Sequence, residues 1–274
     1  MVTASASAAD VSQTGRPGPE PLLRVRVLTH LYGARAGCRD VCFDLHEGEV
    51  LAIAGESGSG KTTLLNCVSG RNRPSAGTVE FNTRIDGLQD IYRLSEPRRR
   101  LLARTDWGYV HQNPRDGLRI DVSAGANVGE RLMAVGDRHY GRIRDTTEDW
   151  MRRVELDTKR IDDAPSTFSG GMQQRLQIAR NLVTHPRLMF MDEPTASLDV
   201  SVQARLLDLL RGLASELGLA AIIVTHDLAV ARLLAHRLLI MKDGEVVESG
   251  LTDQVLDDPQ HPYTQLLVSS VLQA

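Results

Sequence analysis

The chain of 274 residues is poor in aromatic side chains, which make up only 4% of it. A core for this length must therefore be built mainly from aliphatic residues. Cysteine is scarce too. Cys38, Cys42 and Cys67 are too few for a disulfide framework, and no second cysteine pair or histidine cluster completes a metal site with Cys38 and Cys42. Reduced, mostly buried thiols in a cytoplasmic protein are expected. No single sign of charge dominates: 32 Lys and Arg face 35 Asp and Glu, a net charge of −3. That argues against a basic nucleic-acid footprint, so no direct nucleic-acid partner is expected. No apolar run approaches the ~20 residues that cross a bilayer, and no charged start leads into an apolar stretch. Neither a membrane span nor a secretory signal is expected, and no internal repeat is visible.

What is present reads as a globular chain, 42% hydrophobic and 24% charged. Residues 1–20, rich in Ala, Ser, Thr, Gly and Pro, are expected to be a disordered tail, followed by one domain over 21–274. Leu22 to Val27 alternates like an edge strand. Val41 to Leu45 and Glu49 to Ala54 read as strands split by a turn at Glu47-Gly48. A helix from about Gly60 to Ser69 and a strand at Thr78 to Phe81 follow. From about Val122 to Val154 the strand signals vanish and helix is expected. Strand Leu188 to Met191, helix Val200 to Leu217 and strand Ala220 to Val224 then alternate. Val202, Leu206, Leu209, Leu213 and Leu217 recur at helical spacing and suit one buried face. Such alternation of aliphatic strands with helices implies an α/β fold with a largely parallel sheet covered on both sides.

The segment Gly55-Glu56-Ser57-Gly58-Ser59-Gly60-Lys61-Thr62 lies between an apolar strand and a helix, with Thr63 next. Glycines at these spacings let consecutive backbone N–H groups turn inward, and a helix N-terminus adds partial positive charge. Lys61 is placed to reach terminal phosphates, and the Thr62 hydroxyl to serve Mg²⁺. Asp192 and Glu193 emerge at the carboxyl end of a four-residue apolar run, where parallel sheets place their ligands. Alone they read equally as an acidic strand cap. Beside a phosphate loop they read as a partner of Mg²⁺ and a polariser of attacking water.

A third stretch, Phe168-Ser169-Gly170-Gly171-Met172-Gln173-Gln174-Arg175, precedes a helical pattern. It reads either as a plain N-cap with glycines for close packing or as a second anion site that has no lysine of its own. Arg98-Arg99-Arg100, near the N-cap Ser95, reads as a solvated helix face rather than an acidic-partner site. His261-Pro262-Tyr263-Thr264 reads either as a docking epitope or as a turn opening a C-terminal helix.

Together these motifs resemble the ATP-binding-cassette ATPases, whose signature helix begins LSGGQ, over the chain from about Leu22 onward. The resemblance implies a P-loop NTPase fold: a largely parallel core sheet, a small antiparallel β subdomain, a helical subdomain at about 113–184 and a C-terminal extension at about 250–274. It implies ATP and Mg²⁺ as cofactors. Gln112 matches the glutamine that senses metal and attacking water, Ser197-Leu198-Asp199 the loop joining two active sites, and His226 the switch histidine at the γ-phosphate. Tyr32 falls where the family stacks a ring on adenine. By the same resemblance, Ser169, Gly170 and Gly171 complete a partner's site in a head-to-tail homodimer. Phe168 and Met172 depart from the commonest signature, and position 172 loses a side-chain amide. The Gly-Gly-Met form and His261-Pro262-Tyr263-Thr264 resemble the oligopeptide-importer branch.

Further stretches, among them Trp107 to Pro114, Asp116-Gly117-Leu118-Arg119, Gly129 to Ala134 and Arg138-His139-Tyr140-Gly141, resemble the ATP-binding subunits of bacterial carbon–phosphorus lyase systems. That branch implies docking on soluble lyase core subunits. Its alternative is an oligopeptide- or nickel-type importer ATPase that grips membrane subunits. A clamp acting on nucleic acid is disfavoured by the charge and by the lack of a long coiled-coil insertion. The Arg115-Asp116-Gly117-Leu118-Arg119 stretch resembles the lyase-associated pattern better than the importer one.

Overall fold

The computed structural model describes residues 20–33, 35–196 and 198–271. The expected tail thus lies outside the described residues, apart from Glu20. In chain order the elements are β1 (Leu23–Tyr32), β2 (Arg35–Leu45), β3 (Val50–Ala54), α1 (Lys61–Val68), β4 (Ala76–Thr83), β5 (Gly87–Asp90), α2 (Glu96–Thr105) and β6 (Trp107–Val110). Then come α3 (Ala124–Ala134), α4 (Tyr140–Arg153), α5 (Gly170–Leu182), β7 (Leu188–Asp192), α6 (Val200–Leu217) and β8 (Ala220–Thr225). The chain closes with α7 (Leu228–Leu234), β9 (Arg237–Lys242), β10 (Glu245–Leu251), α8 (Thr252–Asp257) and α9 (Pro262–Val271).

Two sheets result. The smaller is antiparallel in the order β2-β1-β4-β5. The larger runs β10-β9-β3-β8-β7-β6 and is parallel except for β10 at its edge. β1 is therefore not the edge strand that its alternation suggested, because it pairs with both β2 and β4. Alternation reports which faces are buried and carries no information about how many flanks are paired.

The parallel strands are short and apolar because both faces are covered. Leu51, Ile53, Phe190, Ile222 and Val224 point to the core shared with α1 and the antiparallel sheet. Met189, Met191, Ala221 and Ile223 point the other way, into the core formed with α3 to α6. Ala52 and Ala54 meet a third cluster with Leu228, Val255, Leu256 and Tyr263. The few aromatics are concentrated where the sheets meet: Trp107 stands edge-on to Phe81 at 5.3 Å and to Phe190 at 5.7 Å. Of the thiols, Cys38 and Cys67 are buried and Cys42 is exposed.

Helix α6 has the expected bounds, but its buried face is rotated. Leu206, Leu207, Leu210 and Leu213 are buried, while Val202, Leu209 and Leu217 are half-buried. The stripe is broader than one heptad seam because α6 packs on a sheet as well as on α5. Strands β9 and β10 have no counterpart in the sequence reading. They form a hairpin about Asp243-Gly244, both at positive φ. Among the described residues no helix is long and apolar enough to cross a membrane.

Between β6 and β7 the chain is helical, and it is organised around the wholly buried Asn127 of α3. Its Oδ1 accepts from the Arg119 N–H at 2.8 Å, and its Nδ2 donates to the carbonyls of Arg119, Val122 and Ser123 at 3.0, 2.9 and 3.1 Å. That amide fastens the irregular 119–123 segment to the helix. Substituting Asn127→Leu fills the space but strands these buried groups. A loss of about 3 kcal/mol is expected in urea denaturation.

Candidate active site

The loop after β3 owes its shape to glycines that no other residue could replace. Gly60 has φ +101°, and a Cβ there would lie 2.0 Å from the Gly37 carbonyl oxygen. Gly55 has φ +147°, and its Cβ would lie 2.2 Å from the Met241 carbonyl oxygen. Gly58 is also at positive φ, +82°. The loop is thus pressed between β2 and the β9–β10 hairpin. The Gly244 N–H donates to the Ser59 carbonyl at 3.0 Å, and the Arg39 N–H donates to the Gly244 carbonyl at 2.7 Å. Glu56, Ser57 and Gly58 form the exposed crest, while Ser59 is buried with its hydroxyl unpartnered. Thr63 is half-buried beside Gly37.

Lys61 opens α1 and turns back into the loop with only 5% of its surface exposed. Its ammonium donates to the carbonyls of Gly55 and Glu56, both at 2.8 Å. Burial lowers its pKa, and the carboxylates of Glu193, Asp192 and Glu56 oppose that shift. Asp192 ends β7 beside this charge, and the Thr62 hydroxyl donates to its Oδ1 at 3.2 Å. Burial raises the pKa of Asp192; the Thr62 hydrogen bond and Lys61 lower it, while Glu193 adds to the rise.

Glu193 follows with a left-handed backbone, φ +43°, uncommon outside glycine. Its N–H donates to the Val224 carbonyl at 2.9 Å, which fixes the turn to the end of β8. The side chain is met from both sides. Gln112 Nε2 donates to Oε2 at 3.1 Å, and His226 Nδ1 lies 3.2 Å from Oε1. Lys61, Thr62, Gln112, Asp192, Glu193 and His226 are therefore gathered at the carboxyl ends of β3, β6, β7 and β8. Tyr32 stands at the margin of this group. Its exposed ring lies 4.7 Å from His30 and so close to Gly37 that a Cβ there would sit 2.8 Å from the ring.

Ser169, Gly170 and Gly171 lie elsewhere, at the start of α5. Ser169 is the N-cap and accepts from the Met172 N–H at 3.4 Å. Among the described residues no hydrogen bond joins this tip to the loop at 55–62. Asp199 is the exposed N-cap of α6, and Leu198 packs beside Gly170; Ser197 lies outside the described residues. The two departures from the commonest signature share a neighbour. The Arg160 guanidinium stacks over Phe168 at 4.5 Å and reaches the Met172 sulfur at 3.7 Å.

Three contacts, made by Arg71 and Tyr263, were missed by sequence reasoning. Arg71 lies over the Tyr109 ring at 3.5 Å and bonds His111 Nε2 at 3.0 Å. Burial, with Arg71 beside it, lowers the His111 pKa to about 4. More directly, Tyr263 of α9 accepts a hydrogen bond from the Glu56 N–H at 3.0 Å. The stretch His261-Pro262-Tyr263 was visible as a helix start; nothing in it signals that Tyr263 faces the glycine loop after β3.

Comparison with known proteins follows the same lines. A sequence model described as ABC transporter matches residues 38–196. The chain is 68% identical over 254 residues to a protein of Escherichia coli (strain K12) named for phosphonates utilization, the ATP-binding protein PhnK, covering 93% of this chain and 99% of that one. It is 36% identical over 230 residues to the dipeptide transport ATP-binding protein DppF of the same organism, covering 84% and 67%. The dimeric ATP-binding cassette MJ0796, solved in a post-hydrolysis state bound to ADP and Pi, superposes with a TM-score of 0.75 at 30% identity, over 84% of this chain and 98% of that one. With the glycine loop, the carboxylates and the two-sheet architecture already in place, these likenesses settle the family: the chain belongs to the ABC transporter ATPases and is an ATP-hydrolysing enzyme.

Proposed function

We propose that this ATPase works as a head-to-tail dimer in the cytoplasm and drives a soluble carbon–phosphorus lyase assembly in phosphonate breakdown. The observation that carries the choice of system is the 68% identity to PhnK along 99% of that protein. Likeness to DppF is half as strong and covers two thirds of its length. The importer reading remains the second one, supported by that weaker likeness.

For the chemistry, the support is the set of contacts around Glu193. Lys61 and the loop from Gly55 to Thr63 hold the triphosphate, with the Glu56 N–H already taken by Tyr263. Glu193 takes the proton of the attacking water. Gln112 and His226, each bonded to one of its oxygens, keep the carboxylate aimed. Tyr32 offers its exposed ring to the adenine. The tip Ser169-Gly170-Gly171 and Asp199 serve the partner's nucleotide, which fits their distance from the chain's own loop and the two-fold closure of such half-sites.

The Thr62 and Asp192 oxygens, 3.2 Å apart, are hard donors of the kind Mg²⁺ takes, and Gln112, bonded to the adjacent Glu193, is the third candidate. Among the described residues no cluster of three or more His, Cys, Asp or Glu forms a metal cage of its own. When bound, Mg²⁺ supplies neutralisation of phosphate charge.

Three outcomes are expected. Glu193→Gln should bind ATP, turn over at least ~100-fold more slowly, and accumulate as a dimer by light scattering with ATP, while Lys61→Ala should lose ATP binding. Near-normal turnover in Glu193→Gln would overturn its role. Asp192→Asn should raise the thermal midpoint of the protein without added nucleotide and lose the extra stabilisation that Mg·ATP confers. The sign follows from the raised pKa of Asp192: the native state holds the proton more tightly than the unfolded chain, so stability falls as pH rises through that pKa. The amide removes this dependence. Finally, affinity capture of the tagged chain from phosphate-starved cells should recover soluble lyase subunits; recovery of membrane permeases alone would favour the importer reading.

A further inference from the structure

We propose that Tyr263, in the C-terminal helix, is a positioning residue of the nucleotide site. Its hydroxyl holds the Gly55–Glu56 peptide unit and thereby sets where the Lys61 ammonium sits. The inference rests on the reading of Lys61 and the glycine loop as the triphosphate cradle.

The peptide between Gly55 and Glu56 is gripped at both ends. Its N–H donates to the Tyr263 hydroxyl at 3.0 Å, and its C=O accepts from Lys61 at 2.8 Å. A peptide unit is a rigid plane, so fixing the N–H fixes the direction of the carbonyl opposite. The residue on its N-terminal side is Gly55, at φ +147°, which has the widest backbone freedom of any residue. Nothing in glycine itself holds the plane; the hydroxyl does.

Tyr263 is suited to this work because it is itself immobilised. It is 6% exposed and packs with Ala52 and Ala54 of β3, the strand that leads into the loop. The Lys242 ammonium lies 5.0 Å over its ring. Its own N–H donates to His261 Nδ1 at 3.1 Å. The turn before α9 is anchored by Glu248 of β10, whose carboxylate accepts from the Gln260 N–H at 2.8 Å and the His261 N–H at 3.0 Å. A phenylalanine would pack as well in this place. Only the hydroxyl speaks to the loop.

A helix at the end of the chain is thereby joined to the phosphate cradle through one hydrogen bond. Movement of α9 reaches Lys61 without passing through the sheet.

The test uses the full chain with three substitutions: Tyr263→Phe, Thr264→Val and Lys61→Ala. Thr264 is wholly buried one residue further on, and no hydrogen bond links its side chain to the loop among the described residues. ATP binding, steady-state ATPase kinetics and thermal midpoint are measured for each. Tyr263→Phe should raise KM and Kd for ATP roughly 5- to 10-fold, with kcat and midpoint near those of the unaltered protein. Thr264→Val should move the midpoint and leave KM alone. A KM within about twofold of the unaltered value in Tyr263→Phe, or a KM rise that Thr264→Val reproduces in step with lost stability, overturns the proposal. Lys61→Ala separates the two layers. Normal ATP binding there refutes the cradle reading itself, and the proposal with it; a Lys61→Ala defect beside an unaffected Tyr263→Phe refutes only the role of Tyr263.

Discussion

A single ammonium, that of Lys61, dictates the form of the site. It is nearly sealed from water, and a buried charge is tolerable only with partners. Two carbonyls of its own loop supply them, which obliges the backbone to curl tightly around the side chain. The curl needs positive φ at Gly55, Gly58 and Gly60, and at two of these a side chain would strike a neighbouring carbonyl. Those carbonyls belong to Gly37 and Met241, so β2 and β9 must lie where they do. The antiparallel sheet and the β9–β10 hairpin are in this sense the walls of the loop.

The same burial acts with opposite sign on the neighbouring carboxylate. Desolvation lowers the pKa of Lys61 and raises that of Asp192, and each group moderates the other's shift. Glu193 sits beyond them on a left-handed backbone worth of order 1 kcal/mol of strain. That conformation turns the side chain away from the strand direction and places its two oxygens between Gln112 and His226. Strain at this residue is held by the bond from its N–H to Val224, so β8 fixes the geometry of a group carried by β7.

Much of this was legible in the chain. The glycine loop between an apolar run and a helix, the Asp192-Glu193 pair after four apolar residues, and α6 all carry local patterns whose physics is local. What was not legible is set by pairing across distance. Alternation in β1 could not reveal that both its flanks are bonded. The hairpin at Asp243-Gly244 went unread, although Asp-Gly favours such a turn, and with it the wall behind Gly55. The apolar face of α6 was misjudged by a few tens of degrees, because which leucines are deepest depends on the sheet and on α5 rather than on spacing. Tyr263 is the sharpest case. It is 207 residues from Glu56, and only the assembled fold brings the two together.

The two glycines at the start of α5 stand in different surroundings. A Cβ on Gly171 would lie 2.6 Å from Val202, so this glycine exists for close packing against α6. A Cβ on Gly170 would meet only Leu198, at 3.9 Å, and the residue is exposed. Packing therefore explains the second glycine and not the first. The same contact with α6 ties the helix tip to Leu198 and Asp199, which head that helix. The tip of α5 and the segment that follows Glu193 into α6 are thus carried on one packed unit.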